Sequence, residues 1–216
     1  MEFEAGKVFS IAAANRPVPG CTISQKIHKG KNPIWVFSLE ADTDISAEIF
    51  PYHKLILVQE GTLELTGAPA GTVLTAGEGI LAPTDVPVGM AAKTDTVYVE
   101  IEIQKEDIMN KVIEEGKVFK LADLVPYQDG KIVNMDVVHN EKMKFVVMAF
   151  DAGTGLSQHA APGDALIFAL DGEGVIGYEG QEHVLKQGEQ FRFAKNGQHW
   201  VKAEKRFKMG LLLTLE

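Results

Sequence analysis

Ser157-Gln158-His159-Ala160-Ala161-Pro162-Gly163-Asp164-Ala165-Leu166-Ile167-Phe168-Ala169-Leu170-Asp171-Gly172 is the stretch on which the fold reading turns. It has a counterpart 111 residues earlier, running from Ser46 to Gly61. Ser46, Pro51, Leu55, Ile56 and Gly61 fall under Ser157, Pro162, Leu166, Ile167 and Gly172. The offset holds further on, where Val73, Leu74, Gly77 and Glu78 match Val184, Leu185, Gly188 and Glu189. These are nine identities over the 45 positions 44–88; average composition gives roughly three by chance. Gly6-Lys7-Val8-Phe9 recurs as Gly116-Lys117-Val118-Phe119, at an offset of 110. Solenoid repeats run about 20–50 residues, so a period this long is a duplicated domain.

Both copies read as β structure. Trp35–Leu39, Leu55–Val58 and Thr96–Ile101 are short runs rich in β-branched and aromatic residues. Phe145–Phe150, Leu166–Leu170 and Gly210–Leu213 are their counterparts in the second copy. Glycine and proline turns such as Glu60-Gly61 and Asp171-Gly172 separate them. Many short strands at this spacing predict a sandwich or barrel. One helical pattern stands out: Ile108, Met109, Val112 and Ile113 would share one face of a helix spanning 105–115. It is read as a connector between an N-terminal domain, 1–104, and a C-terminal domain, 116–216.

Composition narrows the function. Of 216 residues, 45% are hydrophobic and 24% charged, and the formal net charge is −9. An acidic chain without a Lys/Arg cluster repels a phosphate backbone, so nucleic acid is excluded as a partner. No apolar run reaches the roughly 18 residues needed to cross a bilayer, which argues against a membrane partner. The start, Met-Glu-Phe-Glu-Ala-Gly-Lys, is unlike a secretory leader, and Cys21 is a lone cysteine. The expectation is a cytoplasmic protein with a bystander thiol.

Three stretches of the second copy resemble the cupin family. Gly153 to His159, followed by Pro162 to Gly172, is similar to the first cupin motif, G-x5-H-x-H-x(3,4)-E-x6-G. Gly188 to His199 is similar to the second, G-x5-P-x-G-x2-H-x3-N. The resemblance extends through both copies and implies an all-β bicupin: two tandem jelly-roll barrels, here joined by the short helix. It also implies a metal held by histidines and a carboxylate inside a barrel, and dimerisation to cover strand edges. A homodimer is therefore expected, the alternative being that the two copies pair with each other inside one chain.

Residues two apart on a strand point the same way, so a ligand at i, another at i+2 and a carboxylate at i+6 share one face. Imidazole with carboxylate suits Zn, Fe, Mn, Ni or Cu. The second copy keeps His159 and His199, but Ala161 and Ala165 stand at the other two ligand positions. In the first copy Glu48, Phe50, Lys54 and Val88 replace all four. That copy is read as plugged and structural, with Phe50 filling volume and a Glu48–Lys54 pair neutralising buried charge.

The second copy carries the candidate site. His159, Ala161, Ala165 and Ala169 fall on one strand face, and with His199 they describe two imidazoles above an alanine-lined hollow. Two functions stand side by side. In one, His159 and His199 hold a divalent transition metal in an enzyme of isomerase or oxygenase type. In the other, the same residues bind a small molecule without metal, for recognition or sensing. Gln158 is a weak candidate third ligand. His28 and His139, equivalent in the two copies, read as structural, and His183 as exposed.

Overall fold

The computed structural model describes residues 3–215. The chain divides into two compact units. One holds Ile11–Asp107 and Lys111–Lys120. The other holds the residues through Ser10, Ile108–Asn110, and those from Leu121 onward.

The N-terminal unit is a two-layer antiparallel sandwich. Its larger sheet runs in the order Val118–Lys120, Glu78–Ala82, His53–Glu60, Thr96–Ile103, Ile34–Leu39, Thr22–His28. Its smaller sheet runs Asp44–Ile49, Pro87–Ala92, Thr62–Gly67, Thr72–Thr75. Alternation along the strands sends Ile56, Val58, Leu63, Leu65, Leu74 and Met90 between the layers, where they form the core.

The C-terminal unit repeats this order as Val8–Phe9, Gln190–Phe193, Asp164–Tyr178, Phe207–Thr214, Met143–Phe150, Ile132–His139. The second layer is Gly155–Ala160, Gln198–Lys202, the far half of Asp164–Tyr178, and Gln181–Lys186. Pairing registers also repeat: Glu48 lies opposite Val88, and His159 opposite His199, each after a bulge in the same place. Gly61 (φ +88°) and Gly172 (φ +70°) take left-handed backbone at equivalent turns. A Cβ at Gly172 would stand 2.2 Å from the Arg206 carbonyl oxygen, which is why this position needs glycine. The all-β jelly-roll expectation is what the chain shows.

Two sequence expectations are corrected. Residues 105–115 form no helix. Ile108–Met109 is a strand pairing with Val138–His139, Asn110 donates to the Val137 carbonyl at 2.9 Å, and Glu115 bridges to Leu81. Ile108 and Val112 are exposed while Ile113 is buried, so the four apolar residues share no buried face. Eleven residues are too few for a helix to hold against ladder hydrogen bonds.

The boundaries 1–104 and 116–216 also shift. Val8–Phe9 pairs with Gln190–Phe193 in the C-terminal unit, and Val118–Lys120 with Glu78–Ala82 in the N-terminal one. The two Gly-Lys-Val-Phe segments thus occupy the same edge position, each in the unit built by the other copy.

Candidate functional site

His159 and His199 face each other across neighbouring strands of the C-terminal unit. Their ring centroids are 4.3 Å apart and the planes are inclined by 57°. His199 is buried and stacks on Phe193 at 3.9 Å, whereas His159 is exposed. The turn before His199 closes on Asn196, which adopts φ +64° where the resembled motif has glycine and donates its N–H to the Ala161 carbonyl.

Each imidazole is held by a carbonyl two residues back. His159 Nδ1 lies 2.8 Å from the Ser157 oxygen, and His199 Nδ1 lies 2.9 Å from the Gly197 oxygen. A carbonyl only accepts, so Nδ1 carries the proton in both neutral rings and Nε2 keeps its lone pair. Burial lowers the His199 pKa below the ordinary imidazole value. The Gly197 carbonyl opposes that shift, and the neighbouring His159 charge adds to it.

Ala165 and Ala169 are buried in the core with Phe191, Phe193 and Phe207, and Ala161 is buried too. Gln158 is exposed, its amide 3.5 Å from that of Gln198. His183 is half-buried, its ring 5.0 Å from Phe191, so the exposed reading is corrected. Among the described residues no three His, Cys, Asp or Glu side chains cluster to hold a metal. Two Nε2 donors fall short of the three or four protein ligands of a tight transition-metal site. The donor set therefore does not fit a closed metal centre.

The plugged reading of the first copy is also corrected. The N-terminal unit contains a cavity of about 210 Å³, lined by Glu48, Phe50, Lys54 and Glu100 among others. Lys54 pairs with Glu100, not Glu48: Nζ lies 3.3 Å from the Glu100 carboxylate and 3.7 Å above the Phe50 ring. Glu48 is exposed. Phe50 lines the cavity, with Lys54 over its face. Burial raises the Glu100 pKa and outweighs the lowering by Lys54. Sequence reasoning missed Tyr98, Glu100 and Glu102. Their period-two spacing on Thr96–Ile103 was the available signal, since it puts all three on the core-facing side.

Residues 146–214 match the family model described as Cupin domain. The cupin 2 conserved barrel domain protein from Leptotrichia buccalis is similar over 99% of this chain and 98% of its own, with 27% identity and a TM-score of 0.86. These two likenesses support the cupin superfamily for this chain. More distant likenesses bear on the fold alone. AerE from Microcystis aeruginosa has 15% identity and a TM-score of 0.56 over 93% of this chain and 97% of its own. Salicylate 1,2-dioxygenase from Pseudoaminobacter salicylatoxidans, solved as adducts with gentisate, has 10% identity and a TM-score of 0.62 over 88% and 73%. No curated protein matches the chain.

Proposed function

We propose that this chain is a small-molecule-binding cupin whose C-terminal unit recognises its ligand through the imidazole pair of His159 and His199. One observation carries this reading: both Nδ1 atoms are tied to carbonyls, so two adjacent Nε2 atoms are left as acceptors. Such a pair takes hydrogen bonds from a hydroxyl or a carboxylic acid. It can also take one proton from an acidic ligand, whose carboxylate then stabilises the single imidazolium. Gentisate, which the dioxygenase relative binds, carries both groups and is a suitable first probe.

A second reading has its own support. Fixing a ring through Nδ1 to a carbonyl is also how metal-ligating histidines are oriented. A single Zn, Fe, Mn, Ni or Cu ion on the two Nε2 atoms would then need non-protein ligands to complete its shell.

Thermal shift with gentisate and salicylate, together with elemental analysis of protein purified without chelator, tests both. Under the proposal the shift disappears in His159→Ala and in His199→Ala, and metal stays well below one per chain. Near one metal per chain, lost in both variants, establishes the second reading. A shift that survives both substitutions refutes the site.

A further inference from the structure

The interior of the N-terminal unit holds charged groups that its fold does not require. The positions 111 residues on from Lys54, Tyr98, Glu100 and Glu102 are Ala165, Met209, Leu211 and Leu213. Strand register confirms the equivalence. Tyr98 pairs with Phe37 and Val58, and Met209 pairs with Met148 and Ala169, each 111 residues later. Apolar side chains at these positions build the same sandwich in the C-terminal unit. Keeping a lysine, a tyrosine and two glutamates there carries a desolvation cost with no return in the fold itself.

Two of these groups end in atoms without a partner. Glu100 Oε2 and the Tyr98 hydroxyl are buried and make no hydrogen bond among the described residues. Both residues line the 210 Å³ cavity. The other polar groups are committed. Lys54 is spent on Glu100 and the Phe50 face, and Glu102 Oε1 accepts the indole N–H of Trp35 at 3.0 Å. Three carboxyl groups, Glu48, Glu100 and Glu102, line the cavity against one lining ammonium, Lys54. Their field shows at Tyr52, whose phenol is pushed up to about 12 by burial and then by Glu102, Glu100 and Glu48. The apolar wall is aromatic, with Phe37 stacked on Tyr98 at 4.8 Å and Trp35 tilted beside Phe37 at 6.3 Å.

We propose that this cavity binds a small organic cation, an amine about one ring in size. Its N–H donates to Glu100 Oε2 and the Tyr98 hydroxyl, and its apolar body lies against Trp35 and Phe37. The size follows from volume: a cavity of about 150 Å³ accepts benzene, so this one accepts a ring bearing a short polar arm. The charge follows from the excess of carboxylates, and cation–π attraction to the aromatic wall acts in the same direction. An anion would meet the same carboxylates, with Lys54 already paired to Glu100 and the Lys26 ammonium lying 4.3 Å over the Trp35 ring. This site is separate from the imidazole pair of the C-terminal unit and stands or falls without it.

Isothermal titration of the full chain with benzylamine, benzyl alcohol and benzoate tests the proposal, with the Trp35 indole resonance reporting the location. Benzylamine should bind and shift Trp35 but not Trp200, while benzyl alcohol binds at least about tenfold more weakly and benzoate not at all. Glu100→Gln should weaken benzylamine by about tenfold or more. Exposed Glu48→Gln, which leaves the core untouched, should weaken it about two- to fivefold. A His159→Ala/His199→Ala double variant should bind benzylamine as the native chain does. Three results overturn the proposal: benzoate binding as tightly as benzylamine, benzylamine affinity unchanged in Glu48→Gln and Glu100→Gln alike, or no benzylamine binding up to about 10 mM, beyond the millimolar range of ring-sized ligands.

Discussion

Removing the carboxylate of Glu100 tests the energetics of the N-terminal interior most directly. Glu100→Leu installs the residue found at the equivalent position 211 and leaves the Lys54 ammonium, 8% exposed, without its counter-ion. At the observed 3.3 Å the lost attraction is about 5 kcal/mol for an effective dielectric of about 20. That agrees with the roughly 3–5 kcal/mol by which breaking one side of a buried pair destabilises proteins. A unit of about 100 residues loses about 4–8 °C per kcal/mol, so its melting should fall by at least about 12 °C. Replacing both partners, Lys54→Met with Glu100→Leu, removes two desolvation costs together with the attraction. It should restore native stability or exceed it by about 1–4 kcal/mol. The upward shift of the Glu100 pKa, in which burial outweighs Lys54, points the same way. Urea unfolding followed at Trp35 in a Trp200→Phe background isolates the N-terminal unit. A double variant as unstable as the sum of its singles would refute the coupling. An unimpaired Glu100→Leu single would refute the desolvation argument itself.

Three further outcomes follow from the structure. The lowered pKa of His199 means that the unfolded chain takes up its proton first. Stability is therefore intact above the ordinary imidazole range and falls as pH drops through it toward the lowered native value. In His199→Gln, melting temperature plotted against pH should be flatter over that window. Gly172→Ala places a Cβ at φ +70° and 2.2 Å from the Arg206 carbonyl; urea midpoints should show a loss of about 1–3 kcal/mol or more. Deleting residues 1–9 removes the edge strand Val8–Phe9 and the Phe3 carbonyl that accepts from Arg192 at 2.8 Å. Amide exchange should then quicken at Gln190–Phe193 while Glu78–Ala82 keeps its protection.

Much of this was legible in the chain itself. The 111-residue repeat and the motif glycines fix local conformation and alternation, and those depend only on near neighbours. The convergence of His159 and His199 was readable for the same reason, because motif spacing sets the register of two paired strands. The connector at 105–115 was misread because a short helical pattern and a strand edge use the same apolar residues. Only the available partner, Val138–His139, selects between them.

The sequence by itself determined a duplicated β sandwich and which strand faces carry its histidines. Tertiary structure alone decided which copy's first strand completes each unit, that Ala165 and Ala169 share a core with Phe191, Phe193 and Phe207, and that Lys54 pairs with Glu100 in the wall of a cavity. The physical reason is range. Backbone propensity and period-two alternation act over a few residues. Cavities and buried ion pairs arise where strands 40 to 50 positions apart come together, and their volumes and distances are written in no single segment.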